Sequence, residues 1–300
     1  MAFSEAAELI ASVDDVAGRL MAEHKERRDA WYFHDYVPWE QGRNFVDEPW
    51  TEADCTLDPT VRTSLVLNLL TEDNLPYYHS IIERHMPESS QLAEWNKMWT
   101  AEEGQHAIAL RSYLLTSRNC DPRALEDDRY ETMLKGYEAE FASPIDLFAY
   151  TSAQELATRV SHRNAGKLAD DETAYAIMAR IAADENHHFM FYRGMTTAML
   201  KEHPSAVVSA IYRVFSTFQM PGVGIPGFAK RAVEMAKAGV YSLRLHRDRV
   251  VLPLIRDWSI GSITDLNAEG REARDKLMAL PDKLLRGAEL FEKRYGVNPA

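Results

Sequence analysis

Trp99-Thr-Ala-Glu-Glu-Gly-Gln-His106 sets a Glu and a His three residues apart, Glu103 and His106. Ile181-Ala-Ala-Asp-Glu-Asn-His-His188 repeats the arrangement with Glu185 and His188. Residues three apart on a helix share a face, so each pair can converge on one point. Two single glutamates extend the repeat. Glu72 precedes Glu103 by almost the same interval as Glu155 precedes Glu185, so the second half of the constellation repeats the first nearly in register. Ligands about 30 residues apart suit an antiparallel helix pair that meets at mid-height, with arms of about 15 residues, or roughly 22 Å at about 1.5 Å per residue. The midpoints carry turn chemistry, in Met86-Pro-Glu-Ser-Ser90 and Gly166-Lys-Leu-Ala-Asp-Asp171. The repeat predicts one helix hairpin used twice.

The second motif offers two registers, because Asp184 and His187 are also three apart. The first motif has no such choice, since Glu102 is followed three residues later by Gln105. Symmetry selects Glu185 and His188. Asp184 becomes a candidate to support a ligand from behind, and His187 an exposed or accessory histidine.

Four inward glutamates without cations would cost several kcal/mol each if unpaired. Four carboxylates and two imidazoles suit iron or manganese better than zinc, which prefers fewer ligands with more nitrogen or sulfur. The four negative charges balance two divalent cations. A Glu-x-x-His from each of two helices, with one Glu from each of two others, is the ligand set of the ferritin-like di-iron carboxylate bundle. The expected fold is all-α: a ferritin-like antiparallel helix bundle with a di-iron centre and extra peripheral helices, forming one domain over residues 1–300. The metal set is Glu72, Glu103, His106, Glu155, Glu185 and His188, holding two Fe per chain.

Composition agrees. The chain has 300 residues, 46% of them hydrophobic, enough for a sizeable core. The net charge of −12, with no large basic patch, argues against a nucleic-acid partner. Cys55 and Cys120 lack metal-type spacing and read as two reduced thiols. No apolar run approaches the roughly 18 residues of a membrane span, and no signal peptide is evident. A soluble, cytoplasmic protein is expected.

In chain order, Ser4–Arg28 reads as an amphipathic helix ending in the basic cluster Lys25-Glu-Arg-Arg28. Trp31–Pro38 reads as an extended or turn segment across the bundle, and Asn44–Asp58 as a loop. A helix from about Asp58 runs through Glu72 and beyond; either Pro76 distorts it where the carbonyl of Glu72 loses its donor, or the helix breaks at Leu75. Further helices are expected at Gln91–Ser117, Tyr130–Phe141, Asp146–Lys167, Asp171–His203, Ser205–Gln219, Ala229–His246, Val250–Trp258, Asn267–Leu280 and Asp282–Tyr295. A connector starts at Asp121-Pro122, and Met220–Gly227 breaks the helical pattern.

Four separated blocks resemble the soluble acyl-(acyl carrier protein) desaturases, including their actinobacterial members. These are Trp-Thr-Ala-Glu-Glu-x-x-His at 99–106, Ala-Ala-Asp-Glu-x-x-His at 182–188, Thr71-Glu72 with Leu75-Pro76-x-Tyr78, and Tyr150-Thr-Ser-x-Gln-Glu-x-Ala-Thr158. The resemblance covers roughly Trp31–Phe228. It implies that Glu72 with His106, and Glu155 with His188, are terminal ligands, and that Glu103 and Glu185 bridge the irons. It implies a catalytic role for Thr158 beside the metals. It also implies a hydrogen-bonded electron path from Trp31 through Asp184 to His106. The implied activity is oxygen-dependent desaturation of an acyl chain held on acyl carrier protein, with a ferredoxin-type electron donor, dioxygen and a homodimer. Two places depart from the family pattern: Asn186-His187 replaces a basic pair, and Gly104-Gln105 replaces Asn-Arg. All four residues are expected to face away from the metals.

Carrier protein is acidic, so docking is expected on local basic groups: Lys25, Arg27 and Arg28, or the stretch Arg244–Arg249. The nearest alternative activity is hydroxylation of a carrier-bound acyl group by the same centre. A ferritin-like iron-binding protein without acyl turnover is a more distant one, and a ribonucleotide reductase subunit fits least.

Overall fold

The computed structural model describes residues 3–87 and 89–297, with side chains from residue 8 onward. The turn expected at Met86–Ser90 includes Glu88, which lies outside the described residues. Among the described residues there is no strand. The long helices are α1 (Phe3–Arg27), α2 (Pro59–Glu72), α3 (Leu75–Glu83), α4 (Gln91–Thr116), α5 (Pro122–Lys135), α6 (Pro144–Leu168), α7 (Glu172–Glu202), α8 (Pro204–Ser216) and α9 (Phe228–Lys237). Then come α10 (Leu243–His246), α11 (Leu252–Asp257) and α12 (Ala268–Tyr295), with a π turn, Arg247–Val251, joining α10 to α11.

Helix starts follow local chemistry. Asp58, Ser90, Asp121, Ser143 and Asp171 each accept a backbone N–H from the first turn of α2, α4, α5, α6 and α7. Pro59, Pro122, Pro144 and Pro204 sit at helix starts, where their missing N–H is not needed.

Four expectations about helix limits change. The helix at Glu72 does not continue; it ends there, and Asp73-Asn74 turns the chain into α3, with Pro76 in its first turn. The helix expected at Tyr130–Phe141 begins at Pro122, capped by Asp121, and ends before Gly136, whose φ of +68° stops it. The Ala229–His246 helix is broken at Gly239, φ +76°. Conversely, α12 runs unbroken through Pro281, because Leu277, Leu280 and Pro281 are buried there and packing outweighs the lost hydrogen bond.

α2, α4, α6 and α7 form the bundle. α1 packs on α4 and α7, α8 covers α6, and α12 packs on the outer side of α8. Two apolar clusters sit at different heights. One holds Trp95, Trp99, Phe148, Phe191 and Met195; the other holds Leu65, Leu69, Leu110, Tyr113, Ile177 and Ile181. On α4 and α7 the motif residues lie between the two, so they form a polar layer with oil on both sides. Among the described residues, no helix is long and apolar enough to cross a membrane.

Close packing of α6 on α7 depends on Gly166, where a Cβ would lie 2.8 Å from Met178 Cβ. An alanine would gain about 1 kcal/mol of helix propensity but lose about 2–3 kcal/mol to overpacking. Gly166→Ala is therefore expected to lower stability in urea unfolding; an equal or higher midpoint would show that the helices separate freely.

His246 gives the periphery a pH dependence. It is buried, its Nδ1 lies 2.9 Å from Tyr241 Oη, and its ring stacks on Phe218 at 4.6 Å. Burial pulls its pKa from 6.5 down to about 4. The unfolded chain then takes up a proton that the folded chain refuses, so stability is lost as pH falls from 6.5 toward 4. At pH 5 wild type should have lost about 2 kcal/mol that His246→Gln retains. Parallel stability curves for the two proteins would exclude this.

Candidate metal centre

The structure brings all six ligand candidates together. Glu72, Glu103, His106 and Glu185 offer atoms within 4.8 Å of one another, and so do Glu103, Glu155, Glu185 and His188. Glu103 and Glu185 belong to both groups, and all six residues are buried. His106 Nδ1 lies 3.0 Å from Glu103 Oε2 and 3.7 Å from both Glu72 Oε2 and Glu185 Oε1. His188 Nδ1 lies 2.8 Å from Glu103 Oε1 and 3.7 Å from Glu155 Oε2.

These atoms fit metal ions. Glu103 Oε1, His106 Nδ1, Glu155 Oε2 and His188 Nδ1 are buried and have no hydrogen-bond partner, an arrangement that cations would satisfy. The electrostatics agree. Burial, and then the Glu185 charge, push Glu155 well above the carboxylate range and Glu103 upward. Burial works against charge on His106 and His188 too, yet Glu103 and neighbouring carboxylates raise both well above the imidazole range. The centre holds more negative charge than its side chains can neutralise.

The far nitrogen of each imidazole is held by a carboxylate. His106 Nε2 lies 3.3 Å from Asp184 Oδ2, which accepts a 2.6 Å hydrogen bond from Trp31 Nε1, while Arg180 donates to Asp184 Oδ1 at 2.6 Å. Trp31 is buried, with the Arg180 guanidinium 5.9 Å from its ring. On the other side His188 Nε2 lies 3.0 Å from Glu102 Oε2. His24 Nε2 stands 3.0 Å and Arg28 Nε 3.2 Å from the same carboxylate. Burial opposes the charge on Glu102, but hydrogen bonds with His188 and His24 hold its pKa at about 2. Fixing the ring in this way orients a ligand and raises its basicity.

Thr158 Oγ1 lies 2.9 Å from Glu185 Oε2, and Trp99 Nε1 donates to Glu155 Oε1 at 3.1 Å. Lys25 and Arg27 are exposed at the end of α1, but Arg28 reaches inward to Glu102. In the second basic stretch Arg244 pairs with Glu292, and Arg247 with Asp248. Gln105 accepts a hydrogen bond from the Phe33 amide and ties the Trp31 segment to α4. Asn186 and His187 line an outer groove with Arg159 and Arg163, away from the six candidates.

Sequence reasoning missed three residues. His162 Nε2 is 3.1 Å from Glu72 Oε1 and 3.4 Å from Glu185 Oε1. Its signal was its position two turns after Glu155, on the same face. Glu102 precedes Glu103 as Asp184 precedes Glu185, so the symmetry that chose the register also pointed to it. Nothing in the sequence marked His24.

Two small cavities adjoin the centre. One, of about 30 Å³, is lined by Tyr78, Ile81, Ile82, Trp99, Leu147 and Thr151, among others. The other, of about 80 Å³, touches Glu72, Thr158 and His162.

Comparisons with known proteins bear on the family and the fold. A profile described as "Fatty acid desaturase" matches residues 5–300. The chain is 37% identical over 296 residues to DesA1 of Mycobacterium tuberculosis, provisionally named an acyl-[acyl-carrier-protein] desaturase, covering 95% of this chain and 88% of that one. It is 27% identical over 299 residues to stearoyl-[acyl-carrier-protein] 9-desaturase 1 of Arabidopsis thaliana, covering 92% of this chain and 75% of that protein. The crystal structure of M. tuberculosis DesA2, also provisionally named an acyl-ACP desaturase, superposes with a TM-score of 0.73 at 25% identity, covering 89% of this chain and 99% of that one. The all-helical ferritin-like bundle, the paired Glu-x-x-His motifs and a family profile over nearly the whole sequence establish that this chain belongs to the fatty acid desaturase family and is an oxidoreductase of that family.

Proposed function

We propose that the protein introduces a double bond into a saturated acyl chain carried as a thioester on acyl carrier protein. Two adjacent methylenes lose two hydrogens, while dioxygen, two electrons and two protons become two waters. The observation that carries this reading is the pair of four-residue groups sharing Glu103 and Glu185, set beside apolar cavities. Glu72, Glu103 and His106 would hold one iron with Glu185; Glu155 and His188 would complete the other with the same two shared glutamates. Two irons, when bound, supply the redox chemistry that activates dioxygen for hydrogen removal.

The chain's own residues do the rest. Asp184 and Glu102 hold the two imidazoles in register. His162 steadies Glu72 and Glu185, and Trp99 steadies Glu155. Thr158, against Glu185 and at the wall of the larger cavity, is placed to hold or pass a proton beside the metals. Trp31 and Asp184 form a hydrogen-bonded path from beneath Arg180 to His106, suited to electrons from a ferredoxin-type donor. The apolar clusters above and below exclude water. Lys25 and Arg27 offer charge for an acidic carrier protein, while Arg28 acts on Glu102. The reading has the protein work as one domain, as a homodimer and in the cytoplasm, where the thiols of Cys55 and Cys120 stay reduced.

The test is the product. Iron-loaded protein, a saturated acyl carrier protein thioester, dioxygen and a reducing ferredoxin system should give an acyl chain lighter by two hydrogens. A chain heavier by one oxygen would make the enzyme a hydroxylase, and an unchanged chain would reject acyl turnover.

A further inference from the structure

A cleft of about 660 Å³ opens on the surface between the segment following α5 and the segment following α8. It meets the small apolar cavity beside Trp99, for Tyr137, Phe141 and Tyr150 line both. Between them the way is shut. Tyr150 Oη donates to the Gln219 carbonyl at 3.1 Å, which leaves its oxygen to accept from Tyr137 Oη, also at 3.1 Å. Tyr78 packs edge-on to Tyr137 at 4.9 Å, and Phe218 lies 5.4 Å from Tyr150.

The two sides of this closure differ in build. Tyr150 is fixed in α6, whereas Tyr137 stands on the non-helical stretch 136–143, one residue after Gly136. Gly136 has φ +68° and abuts the Tyr77 ring, which a Cβ would meet at 2.9 Å, so the stretch leaves α5 through a turn that requires glycine. The inner cavity, about 30 Å³, holds roughly one water. A long acyl chain needs several times that space, and the lining to be displaced is this aromatic one.

We propose that Tyr137 and Tyr150 form a gate between the surface cleft and the pocket beside the metal centre, with Tyr137 the moving half. Opened, it joins cleft and pocket into one passage for an apolar chain. Closed, it seals the Trp99 side of the centre from water. The inference rests on the proposed function only for the identity of the chain that passes.

The gate is tested without metal, donor or carrier protein. Ile81→Cys places a thiol in the inner cavity, and hexyl methanethiosulfonate serves as an apolar probe whose alkyl chain must pass the gate. Adding Tyr137→Phe, which removes the hydrogen bond and keeps the ring, should speed modification of Cys at 81 about fivefold, the shift expected from one lost hydrogen bond. Tyr137→Ala should speed it more. The native thiol of Cys120, buried against the other apolar cluster, reports any general loosening and should react at an unchanged rate. Equal rates at position 81 with and without Tyr137 would overturn the gate, as would a matching acceleration at Cys120. Failure of acyl turnover in the wild type would reject the proposed function and leave this result standing.

Discussion

Glu185→Ala should leave the protein folded and nearly free of metal. Glu185 lies in both four-residue groups, so on the proposed reading its loss would take a ligand from each ion at once. It would also remove a negative charge that, on the proposed reading, balances the cations. The remaining groups keep three members each, but no longer share two carboxylates, so the second ion binds against uncompensated repulsion from the first. Metal content should fall from about two ions per chain, as in the di-iron bundles, to near zero after desalting, and turnover should fall with it. The helical circular dichroism should persist, because the apolar clusters on either side of the layer are untouched. A variant that keeps both metals would remove Glu185 from the centre.

Asp184→Ala should weaken metal binding by about 10–100-fold, the usual cost of removing the carboxylate behind a ligating histidine. Three partners lose it together: His106 Nε2, Trp31 Nε1 and Arg180. His106 is then free to rotate, and the unpaired Arg180 charge stands near the imidazole that must stay neutral to ligate. Asp184→Asn separates the two effects, since an amide oxygen can still accept from Trp31 while the charge is gone. The alanine variant, saturated with iron, should also accept electrons more slowly than the asparagine variant. Titration with ferrous ion under anaerobic conditions reads the first effect, and stopped-flow reduction reads the second. Unchanged affinity in both variants would mean that Asp184 does not orient His106.

The candidate centre was legible in the sequence because side chains that converge on one point from helices need a fixed spacing. Glu and His three apart, twice, each pair preceded by a lone glutamate at nearly the same interval, leave few folds that use all six. The surrounding residues were less legible, for a physical reason. Glu102 and Asp184 could be inferred from the motif itself, whereas His24 arrives from α1, 78 residues away from Glu102, and no local pattern records such a contact. Helix limits failed where tertiary forces overrule local ones. Pro281 sits inside α12 because buried neighbours hold it, and the helix bearing Glu72 stops rather than bends because Pro76 can serve as the first turn of α3. Arg28 illustrates the same limit: within a basic cluster it reads as a surface charge, yet it turns inward to a buried carboxylate.

On the proposed reading, two irons share Glu103 and Glu185. Iron per polypeptide, measured after anaerobic loading and desalting and paired with electron paramagnetic resonance of the oxidised protein, tests it most directly. About two irons per chain are expected, with no signal from isolated ferric ions, because ions that share carboxylates couple magnetically. One iron or none, or a full-strength signal from isolated ferric ion, would contradict it.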